Sequence, residues 1–191
     1  MRCFVAIDLP GDVRSALDAA QARLRAAAPR ADVRWVAPAG LHLTLKFLGE
    51  VTDERRDAVR AALEGVARGT VPIGLACAGL GVFPGPARPR VVWAGVTAGL
   101  RELGALAAAV ERALEPLGFL PERRPFRGHA TLGRVRSPRS VGALMRALEG
   151  GPGTVFGSWT ASDVVLYRSH LRPTGAIYEP LARLPFTGAV A

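Results

Sequence analysis

Two stretches, His42-Leu43-Thr44-Leu45 and His129-Ala130-Thr131-Leu132, constrain this chain more than any other feature of it. Only three histidines occur, and two of them stand two residues before a threonine and three before a leucine. Residues i and i+2 of a strand share a face about 6.6 Å apart. Read as strands, both stretches therefore present an imidazole beside a hydroxyl and turn their apolar residues to a core. The order helix, histidine strand, helix occurs twice along the chain. That duplication points to an α+β fold of two similar βαβ-type halves with mostly antiparallel sheets.

The surrounding pattern supplies the elements. Arg2 to Asp8 reads as a strand closed by Leu9-Pro10-Gly11, and Val13, Leu17, Ala20 and Leu24 form one face of a helix that stops near Pro29. Val33 to Val36 is a short strand, and residues 41–48 form the first histidine strand. Thr52 reads as an N-cap with Asp53 and Glu54 at the positive end of a helix whose buried stripe is Val59, Leu63 and Val66. Strands come next at 71–80 and 90–97, separated by a breaker-rich loop from Phe83 to Pro89, and the first half ends there. Leu103, Leu106, Val110, Leu114 and Leu117 mark a third helix, and residues 119–128 form a loop that bears Arg123, Arg124 and Arg127. Ser137-Pro138 predicts a helix start before the stripe Val141, Leu144, Met145 and Leu148, with Gly150-Gly151-Pro152-Gly153 as its stop. Strands at 155–160, 163–171 and 177–184 complete the chain. No linker or low-complexity segment divides residues 1–191, which read as one domain of two lobes.

Composition narrows the function classes. A chain of 191 residues that is 49% hydrophobic can bury a core. The formal net charge of +9 suits a polyanionic partner such as nucleic acid. Lys46 is the only lysine, however, and the arginine, alanine and glycine bias is one that GC-rich coding alone produces. Cys3 and Cys77 are far apart in apolar surroundings and read as buried thiols, not as a metal site or a disulfide. The N-terminal apolar run is too short for a signal peptide, and no stretch approaches the ~20 apolar residues of a membrane span, so a cytoplasmic location without membrane contact is expected.

Paired histidines allow one chemistry in particular. Histidine titrates near neutrality, so two of them on opposite sides of a phosphate can remove a proton from the attacking oxygen and protonate the leaving one in a single step. Thr44 and Thr131 would donate to the non-bridging oxygens as negative charge grows there. A single His-x-Thr is ordinarily chance, and a histidine beside a core strand is ordinarily packing; two of three histidines in the same setting are neither. Each stretch offers one good metal ligand and no Cys, Asp or Glu at ligand spacing, so neither metal nor cofactor is expected. No serine or cysteine has the surroundings of a nucleophile.

The motifs extend over nearly the whole chain: Phe4-Val5-Ala6-Ile7-Asp8, His42 through Gly49, Phe83-Pro84 with Pro89-Arg90-Val91-Val92-Trp93, Pro125 through Arg134, and Leu166-Tyr167-Arg168-Ser169 through Tyr178. In these residues the chain resembles the 2H phosphoesterase superfamily, named for two His-x-Thr motifs. Within it, the resemblance is to the bacterial and archaeal RNA 2′,3′-cyclic phosphodiesterases, also called 2′-5′ RNA ligases. The resemblance implies a bilobal fold with the motifs facing each other in a central cleft. It also implies metal-independent opening of a terminal 2′,3′-cyclic phosphate on RNA to a 2′-phosphate. His42 would then protonate the departing 3′ oxygen and His129 would take the proton from water, an order the residues alone do not supply. In reverse, the same site would join a 5′-hydroxyl to the cyclic phosphate as a 2′-5′ linkage. Substrates that are tRNA-like or small nucleotides are expected, with no obligate protein partner; the alternative enzyme reading keeps the site and acts on a small nucleotide such as ADP-ribose cyclic phosphate. A non-catalytic RNA-binding module is the reading from another class.

The resemblance further implies an arginine at the phosphate, which maps to Arg134, although strand parity counted from His129 turns that position away from the cleft unless a bulge intervenes. Lys46, four residues after His42, fits the parity better as a phosphate ligand; its ordinary role is a solvated charge. Arg123, Arg124 and Arg127 are placed to track RNA phosphates, and Trp35 or Phe83 to stack a base, with core packing the commoner role of each ring. His170, which lacks a threonine partner, reads as structural. Gly128 stands where proline is usual, a departure expected to affect loop stiffness more than chemistry.

Overall fold

The computed structural model describes residues 1–149, 153–172 and 175–189. In chain order the elements are β1 (Arg2–Asp8), α1 (Gly11–Ala27), β2 (Val33–Trp35), β3 (His42–Glu50), α2 (Asp53–Arg68), β4 (Ile73–Phe83), β5 (Val91–Ala98), α3 (Leu100–Leu114), β6 (His129–Val135), α4 (Gly142–Glu149), β7 (Val155–Ala161), β8 (Asp163–Arg172) and β9 (Gly175–Pro185). The apolar spacings place the first three helices correctly. Val13, Leu17, Ala20 and Leu24 are buried on α1, Val59 and Leu63 on α2, and Leu103, Leu106, Val110 and Leu114 on α3. Thr52 sits at the α2 cap position in extended conformation, but its hydroxyl makes no capping bond.

Two boundaries differ from the pattern. Phe83, read as loop, is the last residue of β4, because that strand keeps its ladder to β5 as far as the pair Phe83 and Val91. The Ser137-Pro138 helix start is incorrect. Ser137 Oγ accepts from the Arg139 amide in a turn, and Ser140 comes next with a φ of 61°, a left-handed conformation that a right-handed helix cannot run through, so α4 begins at Gly142. The break at Gly150-Gly151-Pro152 lies outside the described residues.

Among the described residues every strand pair is antiparallel, in the order β7-β4-β5-β6-β3-β1-β8-β9, with β2 also pairing β6. The halves in space are not the halves in sequence. β1 and β3 from the start of the chain join β8 and β9 from its end, while β4 and β5 join β6 and β7. Among the described residues these two groups meet at a single register pair, Leu43 with Ala130. Past it, β6 turns from β3 to β2, pairing Gly133 to Val135 with Trp35 to Val33. The sheet therefore divides at the place where the two histidine strands touch.

Helices α2 and α3 pack against each other and against β3, β8 and β9, whereas α1 packs on α4 and β7. Both cysteines are free and buried, and burial pushes the Cys77 thiol up to about 12, leaving it protonated at neutral pH. Among the described residues no helix is long and apolar enough to cross a membrane.

Candidate active site

The pairing of Leu43 with Ala130, both fully buried, sets the geometry of the site. In an antiparallel pair, one step either way puts His42 across from Thr131 and Thr44 across from His129. Neighbouring strands lie about 4.8 Å apart and alternate residues about 6.6 Å apart. Four polar side chains thus stand at the corners of a small rectangle on one face, with the imidazoles on its diagonal. The motifs are lateral neighbours in one sheet.

Both imidazoles are fixed in the same way. His42 Nδ1 lies 2.8 Å from the Gly40 carbonyl, and His129 Nδ1 lies 2.7 Å from the Arg127 carbonyl, each two residues upstream. A carbonyl can only accept, so each Nδ1 carries a proton and each neutral ring keeps its lone pair on Nε2. The Thr44 hydroxyl, 2.9 Å away, donates to His42 Nε2. The His42 ring stacks on Phe4 at 4.7 Å, with Tyr178 edge-on at 5.2 Å. Gly40 permits that approach, since a Cβ there would meet Tyr178 Cε2 at 3.3 Å and Val36 Cγ1 at 3.2 Å. His129 meets the edge of Phe83 at 5.0 Å.

Burial dominates the electrostatics. It lowers His42 from 6.5 to about 4 against the opposing pull of the Gly40 carbonyl and the Asp8 charge. It also lowers His129, where the Arg127 carbonyl opposes and the Arg134 charge assists. The consequence for stability has a definite sign. Between about 4 and 6.5 the unfolded chain holds a proton at His42 that the folded chain does not, so acidification favours unfolding. The contribution is complete above 6.5 and is lost towards 4, on the order of 3 kcal/mol. Urea midpoints measured at pH 4.5 and 7 should converge in His42→Gln relative to the parent; an unchanged pH slope would contradict this.

The two motifs share a second feature that alternation does not reveal. Between Val5 and Ala6 the β1 ladder moves one residue while β3 moves two, from Lys46 to Thr44, leaving Leu45 as an extra residue. Between Val92 and Trp93 the β5 ladder likewise skips Leu132 of β6. Each histidine strand is bulged at the leucine after its threonine, and a bulge inverts the parity of the residues beyond it. Arg134 is thereby turned back to the histidine face, and its charge acts on both His129 and Tyr178. Lys46 is turned the other way. It is 5% exposed, paired with Glu111 of α3, and donates to the Leu120 carbonyl at 2.9 Å. Lys46 is thus held off the histidine face and ties the arginine loop to α3. On the far side of β6, fully buried Gln21 donates from Nε2 to the carbonyls of Leu132 and Val36 at 2.7 and 2.8 Å, bracing the second bulge from α1.

The remaining candidates separate. Arg127 reaches the site, with its carbonyl on His129 and its guanidinium 6.0 Å from the Phe83 ring. Arg124 is exposed and paired with Glu122, and Arg123 is also exposed. Phe83 packs against Trp93 at 5.1 Å beside His129, whereas Trp35 lies on β2 under Arg25. His170 bonds Glu179 at 2.7 Å. Gly128 is a matter of space as well as stiffness, because a Cβ would come within 2.9 Å of Leu103 Cδ2.

Sequence reasoning missed the polar floor beside His42. A cavity of about 230 Å³ is lined there by Asp8, Arg14, Tyr167, Tyr178 and Arg183 among others. Asp8, the β1 partner of His42, accepts from Tyr167 at 2.6 Å and Arg183 at 2.5 Å. Burial pushes its carboxyl up, but these bonds and the Arg183 and Arg14 charges leave it below its ordinary value. A charged residue closing an apolar strand was the available signal, and its partners come from β8, β9 and α1, which sequence distance conceals.

The chain resembles known proteins in both sequence and fold. The profile of the LigT like Phosphoesterase family matches residues 7–93 and 96–178. The chain is 35% identical over 181 residues to the RNA 2′,3′-cyclic phosphodiesterase of Methanothermobacter thermautotrophicus, covering 95% of this chain and 96% of that one. Among solved structures, TT0787 of Thermus thermophilus superposes with a TM-score of 0.83 at 33% identity, covering 98% of this chain and 99% of that one. Escherichia coli LigT complexed with 3′-AMP does so with 0.75 at 30%, covering 97% and 98%. With two bulged His-x-Thr strands meeting at the division of one antiparallel sheet, this chain belongs to the LigT-like phosphoesterases.

Proposed function

We propose that the protein opens the terminal 2′,3′-cyclic phosphate of RNA to a 2′-phosphomonoester by general acid and base catalysis, without a metal. The observation that carries the proposal is the diagonal pair of imidazoles, each anchored through Nδ1 to a carbonyl and left with Nε2 for proton transfer. Water attacks phosphorus and passes its proton to His129 Nε2, the P–O3′ bond breaks, and His42 protonates the departing oxygen. Thr44 and Thr131 hydroxyls and the Arg134 guanidinium hold the non-bridging oxygens as charge builds on them. Phosphate binding breaks the Thr44 bond to His42, freeing both groups for the substrate.

This order requires protonated His42, whose value of about 4 must be lifted by the anionic phosphate beside it. The deeper burial of His42 favours the reverse order as a second reading, with His42 as base and His129 as acid. The same site would run backwards as a 2′-5′ ligase. The 3′-AMP complex of the E. coli relative supports a pocket that also accepts a small nucleotide.

The test is phosphorus NMR of the product from a cyclic-phosphate-ended oligonucleotide incubated with EDTA. A 2′-monoester is expected. A 3′-monoester, or turnover only after metal is restored, would refute the proposal. A purely RNA-binding protein would show no turnover and an affinity that falls steeply with salt.

A further inference from the structure

We infer that Phe47 is the stacking platform for a second nucleoside, the one whose 5′-hydroxyl is joined to or released from the phosphate. The inference rests on the cyclic-phosphate reading and extends it to a substrate with a nucleoside on each side of phosphorus.

The duplicated bulge gives the two motifs equivalent positions that carry different side chains. From the histidine onward, β3 and β6 share one burial pattern through the fifth residue after it: partly exposed, buried, partly exposed, buried, buried, exposed. That exposed fifth residue is Phe47 in the first motif and Arg134 in the second. The bulge at Leu45 that sends Lys46 to α3 sends Phe47 to the histidine face, where its ring stands 6.1 Å from Phe4. Phe4 in turn stacks on His42. Phe47 is nevertheless 67% exposed, so its ring keeps an open face beside that apolar neighbour.

The two strands run antiparallel about Leu43 and Ala130, so these equivalent positions fall at opposite ends of the polar rectangle. Arg134 lies beyond Thr131 and His42, on the side of Tyr178. Phe47 lies beyond Thr44 and His129, on the side of the arginine loop, which Lys46 holds against β3 through Leu120. A phosphate centred on the diagonal has one substituent directed to each end. A guanidinium and an aromatic ring are the two side-chain types on which bases stack irrespective of sequence. The Arg134 end, on the side of His42 and Tyr178, takes the nucleoside that bears the cyclic phosphate, whose departing 3′-oxygen His42 would protonate. The Phe47 end, on the side of His129, takes the other.

The ligation step then balances. The 5′-oxygen forms a bond to phosphorus and gives its proton to one histidine, the P–O3′ bond breaks, and the 3′-oxygen receives a proton from the other histidine. Cleavage of a 2′-5′ linkage is the reverse, and Phe47 orders the 5′-hydroxyl nucleoside in both directions. Water, with no base to stack, does not use it.

The test compares Phe47→Ala, Phe47→Leu and Phe47→Trp on two substrates, a nucleoside 2′,3′-cyclic monophosphate and a 2′-5′-linked dinucleoside monophosphate. Phe47→Ala should raise KM for the dinucleoside about 5- to 100-fold and leave hydrolysis of the cyclic mononucleotide within about twofold. Tryptophan should restore the dinucleoside KM and leucine should not, which separates stacking from bulk. Equal losses on both substrates, or none on either, would overturn the inference. So would a parent protein that hydrolyses the cyclic phosphate yet never cleaves the dinucleoside. A parent inactive on both substrates would instead defeat the cyclic-phosphate reading itself.

Discussion

Alanine at His129 is expected to lower kcat for cyclic-phosphate opening by roughly 10²–10⁴, with a comparable loss for alanine at His42. The two groups act in one transition state, so the double variant should lose less than the product of the single losses. The assay also assigns the roles. A nucleotide diester whose leaving group is 4-nitrophenolate needs no proton on that oxygen, so the variant lacking the acid should regain most of its rate on it. The variant lacking the base should not. Rescue of His42→Ala supports His42 as acid, whereas rescue of His129→Ala would invert the order in line with the deeper burial of His42. Parent rates in both alanine variants would remove the histidines from the mechanism altogether.

The features legible in the chain and those hidden in it divide along a physical line. Helices α1, α2 and α3 were legible because their buried stripes recur at helical spacing, which is a property of each segment alone. The histidine strands were legible because the duplication made a weak local signal specific. The bulges at Leu45 and Leu132 were not, since an extra residue in one strand is defined only against the ladder of its partner, and those partners are β1 and β5. For the same reason the assignment of β8 and β9 to the half containing β1 and β3 was hidden, as was the polar floor in which Asp8 meets Arg183 across the sheet. The false start at Ser137-Pro138 shows the converse. A strong local signal was overridden by the left-handed turn at Ser140.

The bulges turn an ambiguity of sequence into a pair of opposite expectations. Strict alternation would put Lys46 on the histidine face and turn Arg134 away from it, whereas the observed ladders exchange the faces of the two. Arg134→Gln should therefore lower kcat by about 10²–10³, the cost of removing one charged donor from the non-bridging oxygens, with little change in thermal stability because the side chain is exposed. Lys46→Gln should show the complementary pattern. Removing the ammonium leaves Glu111 without its partner and the Leu120 carbonyl without its donor in a largely buried setting, so the melting temperature should fall. Its kcat should stay within about tenfold of the parent once the protein is assayed well below that temperature, since Lys46 points away from the histidine face toward Glu111 and Leu120. Circular-dichroism melting beside steady-state kinetics on one cyclic-phosphate-ended RNA separates the cases. If Lys46→Gln abolished turnover without loss of stability while Arg134→Gln were silent, simple strand parity would be right and the bulged geometry wrong. Because the same inversion places Phe47 at its end of the rectangle, that result would also remove the structural basis of its proposed role.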